Sequence, residues 1–370
     1  MDYATESAQL DAKILAYITS WHRGVELASL ELDQLFLEVA RYQARYNRPY
    51  EQYLSYRDYD LAKLSSPLDI PALPADAFKD AQLSTNSSQA QACFRTSGTT
   101  MKHRGCHLLE TTRLYEASAL AIFDRLVLTP RQLHSDTQLH IISLAPPSHE
   151  RPDSSLGFMV DHLMRHRSKR GLVHLLHGDN LLLEPLRSAV HQAHEDQAVL
   201  CLFTTALGAL QLLDALGAEQ LILPPRSLVI ETGGFKGQSK ATSRITLYAR
   251  LAQCFGISEA NVLAEFGMTE LTSQYYDSFP SSAHEARVKV GPPWLRTIIR
   301  DADGKQVTNG TIGALRHLDL TNRSSLLAID TEDLGYACGD GFVFLGRERG
   351  AHLRGCSLDA EHLRSVEANP

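Results

Sequence analysis

A stretch rich in small hydroxyl residues stands at positions 94–105, where the sequence reads FRTSGTTMKHRG. Hydroxyl groups and unhindered backbone N–H groups around a glycine can wrap a phosphate, and nearby bases supply positive charge. The stretch differs from the Walker pattern GxxxxGK[ST], and alone it is also typical of an ordinary loop. Both interpretations stay open on the residues alone; for a phosphate-binding loop the candidate residues are Thr96, Ser97, Gly98, Thr99, Thr100, Lys102 and Arg104.

A second candidate is the stretch AEFGMTELTSQYYD at positions 264–277, in which a strand-like run ends at Gly267 and Thr269 and Glu270 follow at once. Gly267 and Met268 are candidate nucleotide-binding residues. The C-terminal ends of sheet strands are where α/β folds hold their ligands. The hydroxyl of Thr269 can contact a phosphate oxygen, and the carboxylate of Glu270 can hold Mg²⁺. The alternative is that both residues only cap the following turn.

A third candidate is the stretch DTEDLGY at positions 330–336, which is followed by GRERG at 346–350. A carboxylate such as that of Asp333 can hold two neighbouring sugar hydroxyls through its two oxygens. Arg347 follows a glycine and can reach the same sugar. Each acid of this stretch is, alternatively, a simple turn residue.

A cysteine, Cys356, lies in the stretch HLRGCSL near the end of the sequence. Either it is a structural cysteine or it carries a covalent intermediate. Three arginines, Arg347, Arg349 and Arg354, are close in sequence and favour the reactive thiolate. The six cysteines are scattered and form no CxxC pair, so we expect a reduced cytosolic protein with no structural zinc site.

Regular elements must position these residues, and from Cys93 onward the sequence alternates between two patterns. Apolar runs typical of buried strands cover 139–145, 198–205, 227–234 and 261–267, and helical stretches cover 154–167, 181–194, 207–216 and 242–255. Such alternation predicts βαβ units and a largely parallel sheet. After Gly291, turns at Asp303-Gly304 and Asp340-Gly341 predict short hairpins and a small β subdomain.

A helix is predicted upstream, from Ser29 to Tyr46, because apolar residues recur there at steps of three and four. It should end before Pro49. The net charge of −7 argues against a dedicated nucleic-acid binder. No signal peptide and no apolar run of membrane-spanning length is evident.

In this order, the three candidate stretches resemble the core motifs of the AMP-forming adenylating superfamily, which contains acyl- and aryl-CoA synthetases. RTSGTT resembles its phosphate loop, FGMTE its Thr-Glu motif, and TEDLG with the following GR its ribose-binding acid and hinge arginine. Longer strings, among them SLAPPSHERPDSSLGFMVDHLM, ETGGFKG, VGPPW and RGCSL, resemble the acyl-protein synthetases of bacterial luminescence fatty-acid reductase complexes.

The resemblance implies an α/β adenylating fold with mixed sheets, flanking helices, a small β subdomain and a truncated C-terminal lid. It implies that a fatty or related carboxylic acid reacts with ATP and Mg²⁺ to give acyl-AMP. The acyl group then moves to Cys356 as a thioester, for delivery to a reductase or carrier protein. Residues 1–345 would form the adenylating domain, in parts 1–90, 91–290 and 291–345, and 346–370 the tail.

Two alternatives stay open. The chain can be a ligase that passes the acyl group to coenzyme A or another small acceptor, with Cys356 merely structural. It can also be a non-catalytic subunit that binds nucleotide or a partner. The latter is favoured by Met101, where relatives often have glycine, and by the lack of any lysine after Lys305, since full-length relatives use a lid lysine.

Overall fold

The structure is a computed structural model that describes residues 2–25, 28–96, 104–134, 136–178, 180–233, 244–279 and 287–347. Its helices are α1 (Tyr3–His22), α2 (Ser29–Tyr46), α3 (Arg48–Tyr56), α4 (Ala77–Asp80), α5 (Arg113–Ile122), α6 (Ser155–Arg167), α7 (Leu183–Glu195), α8 (Ala206–Leu216) and α9 (Arg244–Phe255). Its strands are β1 (Leu73–Pro74), β2 (Ala92–Arg95), β3 (Cys106–Leu109), β4 (Leu139–Ser143), β5 (Leu176–His177), β6 (Asn180–Leu181), β7 (Val199–Thr205), β8 (Leu228–Thr232), β9 (Val262–Phe266), β10 (Tyr275–Asp277), β11 (Val288–Val290), β12 (Leu295–Arg300), β13 (Gly313–Asp319), β14 (Ala328–Cys338) and β15 (Gly341–Arg347).

The chain divides into two compact units, each assembled from separated segments. The first unit comprises Met1–Ile122, Met268–Ser273 and Val290–Pro370. The second unit comprises Phe123–Gly267 and Gln274–Lys289. The three-part division of the adenylating domain expected from the sequence stays a prediction.

The second unit confirms the predicted strand–helix alternation. Strands β4, β7, β8 and β9 are parallel neighbours in that order, and β10 pairs antiparallel with β9. All five residues of β4 are buried, as the apolar run predicts for a strand covered on both faces. Leucines and valines of these strands pack with apolar residues of α7, α8 and α9 into one continuous core.

A buried ion cluster braces β9, the strand that leads into the Thr-Glu stretch. The carboxylate of Asp277 accepts a hydrogen bond from the backbone N–H of Ala264 on β9 at 2.8 Å. It also binds the ammonium group of Lys289 and the guanidinium group of Arg287. Burial alone would raise the pKa of Asp277, but the two cations hold it below its usual value.

The first unit contains the predicted hairpins. Strands β12, β13, β14 and β15 are antiparallel neighbours in sequence order, and β1 pairs in parallel with β14 at Leu73 and Ile329. The hairpin between β14 and β15 is confirmed, with its turn on Gly339 and Asp340, one residue before the predicted Asp340-Gly341. Trp294, fully buried just before β12, packs edge-on against Trp21 of α1 at a ring-centroid distance of 5.1 Å.

The predicted helix from Ser29 to Tyr46 is confirmed as α2, and its buried face includes Leu32, Phe36 and Val39. After it, Asn47 caps a new helix, α3, by accepting a hydrogen bond from the N–H of Tyr50. Pro49 lies in the first turn of α3, where a missing N–H costs nothing. The proline therefore ends one helix and begins the next.

One expectation about the cysteines is wrong. Cys93 on β2 and Cys106 on β3 form a disulfide, although the sequence suggested that all the cysteines are reduced. The pairing of β2 with β3 brings these two side chains together, and no local sequence pattern announces it. Among the described residues, Cys201 and Cys254 are free and buried, and Cys338 is free and half-buried.

None of the helices in the described ranges is both long enough and apolar enough to span a bilayer.

Candidate functional site

The base of the predicted phosphate loop is a short antiparallel ladder between β2 and β3. The backbone N–H of Thr96 donates a hydrogen bond to the carbonyl oxygen of Gly105 at 3.0 Å. The hydroxyl oxygen of Thr96 accepts a hydrogen bond from the backbone N–H of Gly105 at 2.8 Å. The guanidinium group of Arg104 donates to the carbonyl oxygens of Thr96 at 2.6 Å and Arg95 at 3.2 Å. Thr96 and Arg104 therefore close the neck of the loop. Ser97, Gly98, Thr99, Thr100 and Lys102 lie outside the described residues.

A groove of about 580 Å³ opens beside this neck. Arg104, Cys106, Lys79 and Phe78 line it together with the polar stretch from Ser84 to Ser88. Hydroxyl, amide and cationic groups thus border the loop neck on a surface open to small molecules.

The Thr-Glu segment, Met268–Ser273, is an irregular stretch held by buried polar groups. The carboxylate of Asp319, at the end of β13, accepts the backbone N–H groups of Thr272 and Ser273 at 3.0 and 2.8 Å. It also accepts the hydroxyl of Thr321 at 2.6 Å. Although burial raises the pKa of Asp319, these donors favour its charged form. The network therefore anchors the C-terminal half of the segment.

Glu270 is buried within this segment, with 8% of its surface exposed. Its backbone carbonyl oxygen accepts a hydrogen bond from the side chain of Asn322 at 2.8 Å. Burial raises the pKa of the Glu270 carboxyl to about 7, against the opposing effects of Arg347 and Lys79. A cation bound beside this buried carboxyl would stabilise its charged form.

Glu270 offers one protein carboxylate, a number that is compatible with Mg²⁺ binding. No cluster of three or more His, Cys, Asp or Glu side chains suited to a metal exists in the described part of the chain. Mg²⁺ commonly uses only one or two protein carboxylates and takes its other oxygens from substrate phosphates and water. Glu270 can therefore hold Mg²⁺ when a nucleotide supplies the remaining ligands.

The N-terminal half of the segment is joined directly to the strand that follows the phosphate loop. Nδ1 of His107, on β3, lies 2.7 Å from the carbonyl oxygen of Thr269. His107 is fully buried, and burial lowers its pKa to about 4. The neutral imidazole thus donates a hydrogen bond to the backbone of Thr269.

Asp333 and Arg347 face each other on β14 and β15. The guanidinium Nε of Arg347 donates to Oδ1 of Asp333 at 3.0 Å. Asp333 is buried, whereas Arg347 is mostly exposed. Arg347 thereby binds one carboxylate oxygen of Asp333, and the expectation that this carboxylate holds sugar hydroxyls stays a prediction.

The structure links the described members of the three candidate stretches within the first unit. His107 on β3 bonds to the backbone of Thr269. Arg347 donates a hydrogen bond to Asp333, and its positive charge also lowers the pKa of Glu270. Met268 belongs to the Thr-Glu segment, while Gly267 belongs to the second unit and directly follows β9. Cys356 lies outside the described residues, so its role stays a prediction.

Three residues important to this arrangement were not anticipated from the sequence: His107, Asp319 and Asn322. Each lies far along the chain from the segment it binds; His107 and Thr269 are separated by 162 positions. A signal existed only for Asp319, because an aspartate side chain often accepts the backbone N–H two residues on and so marks a turn, as it does here with Thr321. That signal does not reveal its partners in the Thr-Glu segment.

Comparison with known proteins gives matches among solved structures. No protein-family model matches the sequence, and no curated protein matches it. 2-Hydroxyisobutyryl-CoA ligase, in the postadenylation state with 2-HIB-AMP, has a TM-score of 0.60 at 13% identity, over 85% of this chain and 67% of the ligase. The fold is that of the large domain of an adenylating enzyme. This confirms the predicted mixed α/β fold with flanking helices, whereas the truncated C-terminal lid stays a prediction because residues 348–370 lie outside the described residues.

Two further structures match with lower TM-scores. ATP-bound MatB from Rhodopseudomonas palustris gives a TM-score of 0.49 at 17% identity, over 71% of this chain and 49% of MatB. The N-terminal subdomain of Klebsiella oxytoca NpsA, in complex with 3-hydroxybenzoyl-AMSN, gives 0.47 at 15% identity, over 71% of this chain and 65% of NpsA. The present chain thus spans about half the length of MatB.

Proposed function

We propose that this chain uses ATP and Mg²⁺ to convert a fatty or related carboxylic acid into acyl-AMP and then carries the acyl group on Cys356 as a thioester. The observation that carries the proposal is that the loop neck, Thr269–Glu270 and the Asp333–Arg347 pair are linked within one unit of an adenylating fold. The acyl group would then be delivered to a protein such as a reductase or carrier protein.

The first half-reaction makes a poor electrophile reactive. A carboxylate oxygen of the acid bonds to the α-phosphorus of ATP while the bond to the β-phosphate oxygen breaks, which releases pyrophosphate. Lys102 and Arg104 would offset negative charge on the phosphates, and Thr269 would orient the α-phosphate. Mg²⁺ held by Glu270 would supply further positive charge. Asp333 and Arg347 would fix the ribose.

The second half-reaction moves the acyl group to sulfur. The thiolate of Cys356 attacks the acyl carbon and AMP leaves with the bonding electron pair. The nearby Arg349 and Arg354 support this step because positive charge lowers the pKa of a thiol and so raises the thiolate fraction. The similarity of RGCSL to the luminescence acyl-protein synthetases supports the assignment of Cys356.

A second candidate function is favoured by the fold comparison, because the 2-hydroxyisobutyryl enzyme is a CoA ligase. In that case coenzyme A, and not Cys356, would take the acyl group. Formation of acyl-CoA by a Cys356→Ala variant would identify this alternative.

Intact-protein mass spectrometry after incubation with ATP, Mg²⁺ and a panel of carboxylic acids tests the proposal. We expect one acid to give an acyl adduct that hydroxylamine removes and that peptide mapping places on Cys356. Cys356→Ser should abolish the adduct, while Cys338→Ser, which changes a half-buried free cysteine, should retain it. An adduct that survives Cys356→Ser would contradict the assignment of the carrier.

A further inference from the structure

The hydrogen bond between His107 and Thr269 defines which ring nitrogen carries the proton. A carbonyl oxygen only accepts hydrogen bonds, so Nδ1, at 2.7 Å, must be protonated. Because the ring is neutral, Nε2 is then the bare nitrogen. The ring of His107 packs edge-on against Phe78 at a centroid distance of 5.4 Å, which fixes its orientation.

This histidine costs stability that an apolar residue would not. Its Nε2 is buried and has no hydrogen-bond partner among the described residues. A buried acceptor left unpaired loses its hydrogen bonds to water and gains none in return. A leucine of similar size on β3 would avoid that cost, so the bond made by Nδ1 accounts for a histidine at this position.

His107 complements the other contacts of the Thr-Glu segment. Asp319 binds the backbone of Thr272 and Ser273, and Asn322 binds that of Glu270, whereas His107 binds that of Thr269. Asp319 and Asn322 lie at and just after the end of β13, but His107 lies on β3, two residues beyond Gly105 at the loop neck. Among the described residues, His107 therefore ties Thr269 to the strand that follows the loop neck.

We propose that His107 is a positioning residue that holds Thr269 at a fixed distance from the loop neck formed by Thr96 and Arg104. The inference deepens the proposed adenylation reaction and rests on it. A backbone shift of about 1 Å at a residue that orients a reacting phosphate can cost about a hundredfold in rate. Loss of the Nδ1 hydrogen bond should therefore affect catalysis more than it affects binding of the acid.

Three substitutions separate the Nδ1 hydrogen bond from the rest of the side chain. In His107→Asn, the amide can donate from near the position of Nδ1; in His107→Gln, it lies near the position of Nε2; His107→Leu donates nothing. In carboxylate-dependent pyrophosphate exchange, we expect His107→Asn to stay within about fivefold of the parent kcat. His107→Gln and His107→Leu should lose about 10- to 100-fold, with an unchanged KM for the acid.

His317→Leu provides the matched control for general destabilisation. His317 is also a fully buried histidine of the first unit, but its Nδ1 lies 3.1 Å from the hydroxyl of Thr297. The control should lower the melting temperature and leave kcat near the parent value. Equal kcat values for all three folded His107 variants and the parent would overturn the inference.

Hydrogen–deuterium exchange of the full-length protein supplies a readout that needs no activity. His107→Leu should raise amide exchange in the peptide covering residues 268–273, and His107→Asn should not. Unchanged exchange in both variants would overturn the positioning role. A parent protein without pyrophosphate exchange would contradict the proposed function, and the amide exchange would still decide whether His107 holds the segment.

Discussion

Glu270 combines a destabilising location with the charge that the proposed reaction needs. Burial raises its pKa to about 7, above the value of 4.5 expected for an exposed glutamate. The unfolded chain therefore releases this proton at lower pH than the folded chain does. The free energy of unfolding therefore falls as the pH rises from about 4.5 to about 7, because the folded chain must then give up a proton that it binds more tightly than the unfolded chain does. A bound cation would reverse that penalty.

We predict that Glu270→Gln stabilises the folded protein but lowers its pyrophosphate-exchange activity. At about pH 8 the free energy of unfolding should rise by about 1–3 kcal/mol, because the neutral amide removes the cost of a buried charge. Pyrophosphate exchange should fall by about 100-fold or more, since a group that stabilises phosphate charge is lost. Urea unfolding and exchange rates measure the two effects.

The pH dependence separates this explanation from a simple packing effect. The stability difference between Glu270→Gln and the parent should shrink as the pH is lowered to about 5, where the folded carboxyl is protonated. Glu332→Gln, which changes an exposed carboxylate, should show no such dependence. A pH-independent difference for Glu270→Gln would contradict the role of burial.

At the scale of elements, a β-bulge aligns Asp333 with Arg347. The register between β14 and β15 shifts between Leu334 and Gly335. At Gly335 a β-carbon would collide with the carbonyl oxygen of Val343. Gly346, just before Arg347, adopts a φ of +123°, a conformation that side chains other than glycine rarely allow. The two glycines therefore permit the turn of backbone that presents Arg347 to Asp333.

We predict that Gly335→Ala loosens this pair. The forced separation of the strands should cost about 1–3 kcal/mol of stability. The KM for ATP should rise about tenfold, since about 1.4 kcal/mol of ribose binding would be lost. Gly304→Ala, in an open turn where the φ is +76°, should cost stability through backbone strain alone and leave the KM for ATP unchanged. Similar KM values in both variants would contradict the role of the bulge.

Elements with a strong local pattern could be predicted from the sequence, and contacts between distant segments could not. The apolar runs that became β4, β7, β8 and β9, and the periodic face of α2, express burial directly in residue order. The Cys93–Cys106 disulfide and the bond from His107 to Thr269 depend on pairings that no single stretch encodes. Motif resemblance predicted the candidate residues but not the groups that hold them.

At the scale of the whole molecule, the fold gathers widely separated positions into the first unit. The loop neck, Met268–Ser273 and the β12–β15 sheet all belong to it, although residues 123–267 intervene in the sequence and form most of the second unit. The molecule carries a net charge of −7, yet Arg104, Arg347 and Lys79 lie around the proposed nucleotide site. Local positive charge can therefore bind an anionic nucleotide on an acidic protein.

The central claim, that this unit joins a carboxylic acid to adenylate, is tested most directly by carboxylate-dependent exchange of labelled pyrophosphate into ATP. We predict exchange with at least one fatty or related acid, no exchange without acid, and strong loss in Asp333→Asn. Cys356→Ser should retain exchange, because the thioester forms only after pyrophosphate leaves. A folded protein that binds ATP but shows no exchange with any acid of the panel would contradict the claim and favour a non-catalytic nucleotide-binding subunit.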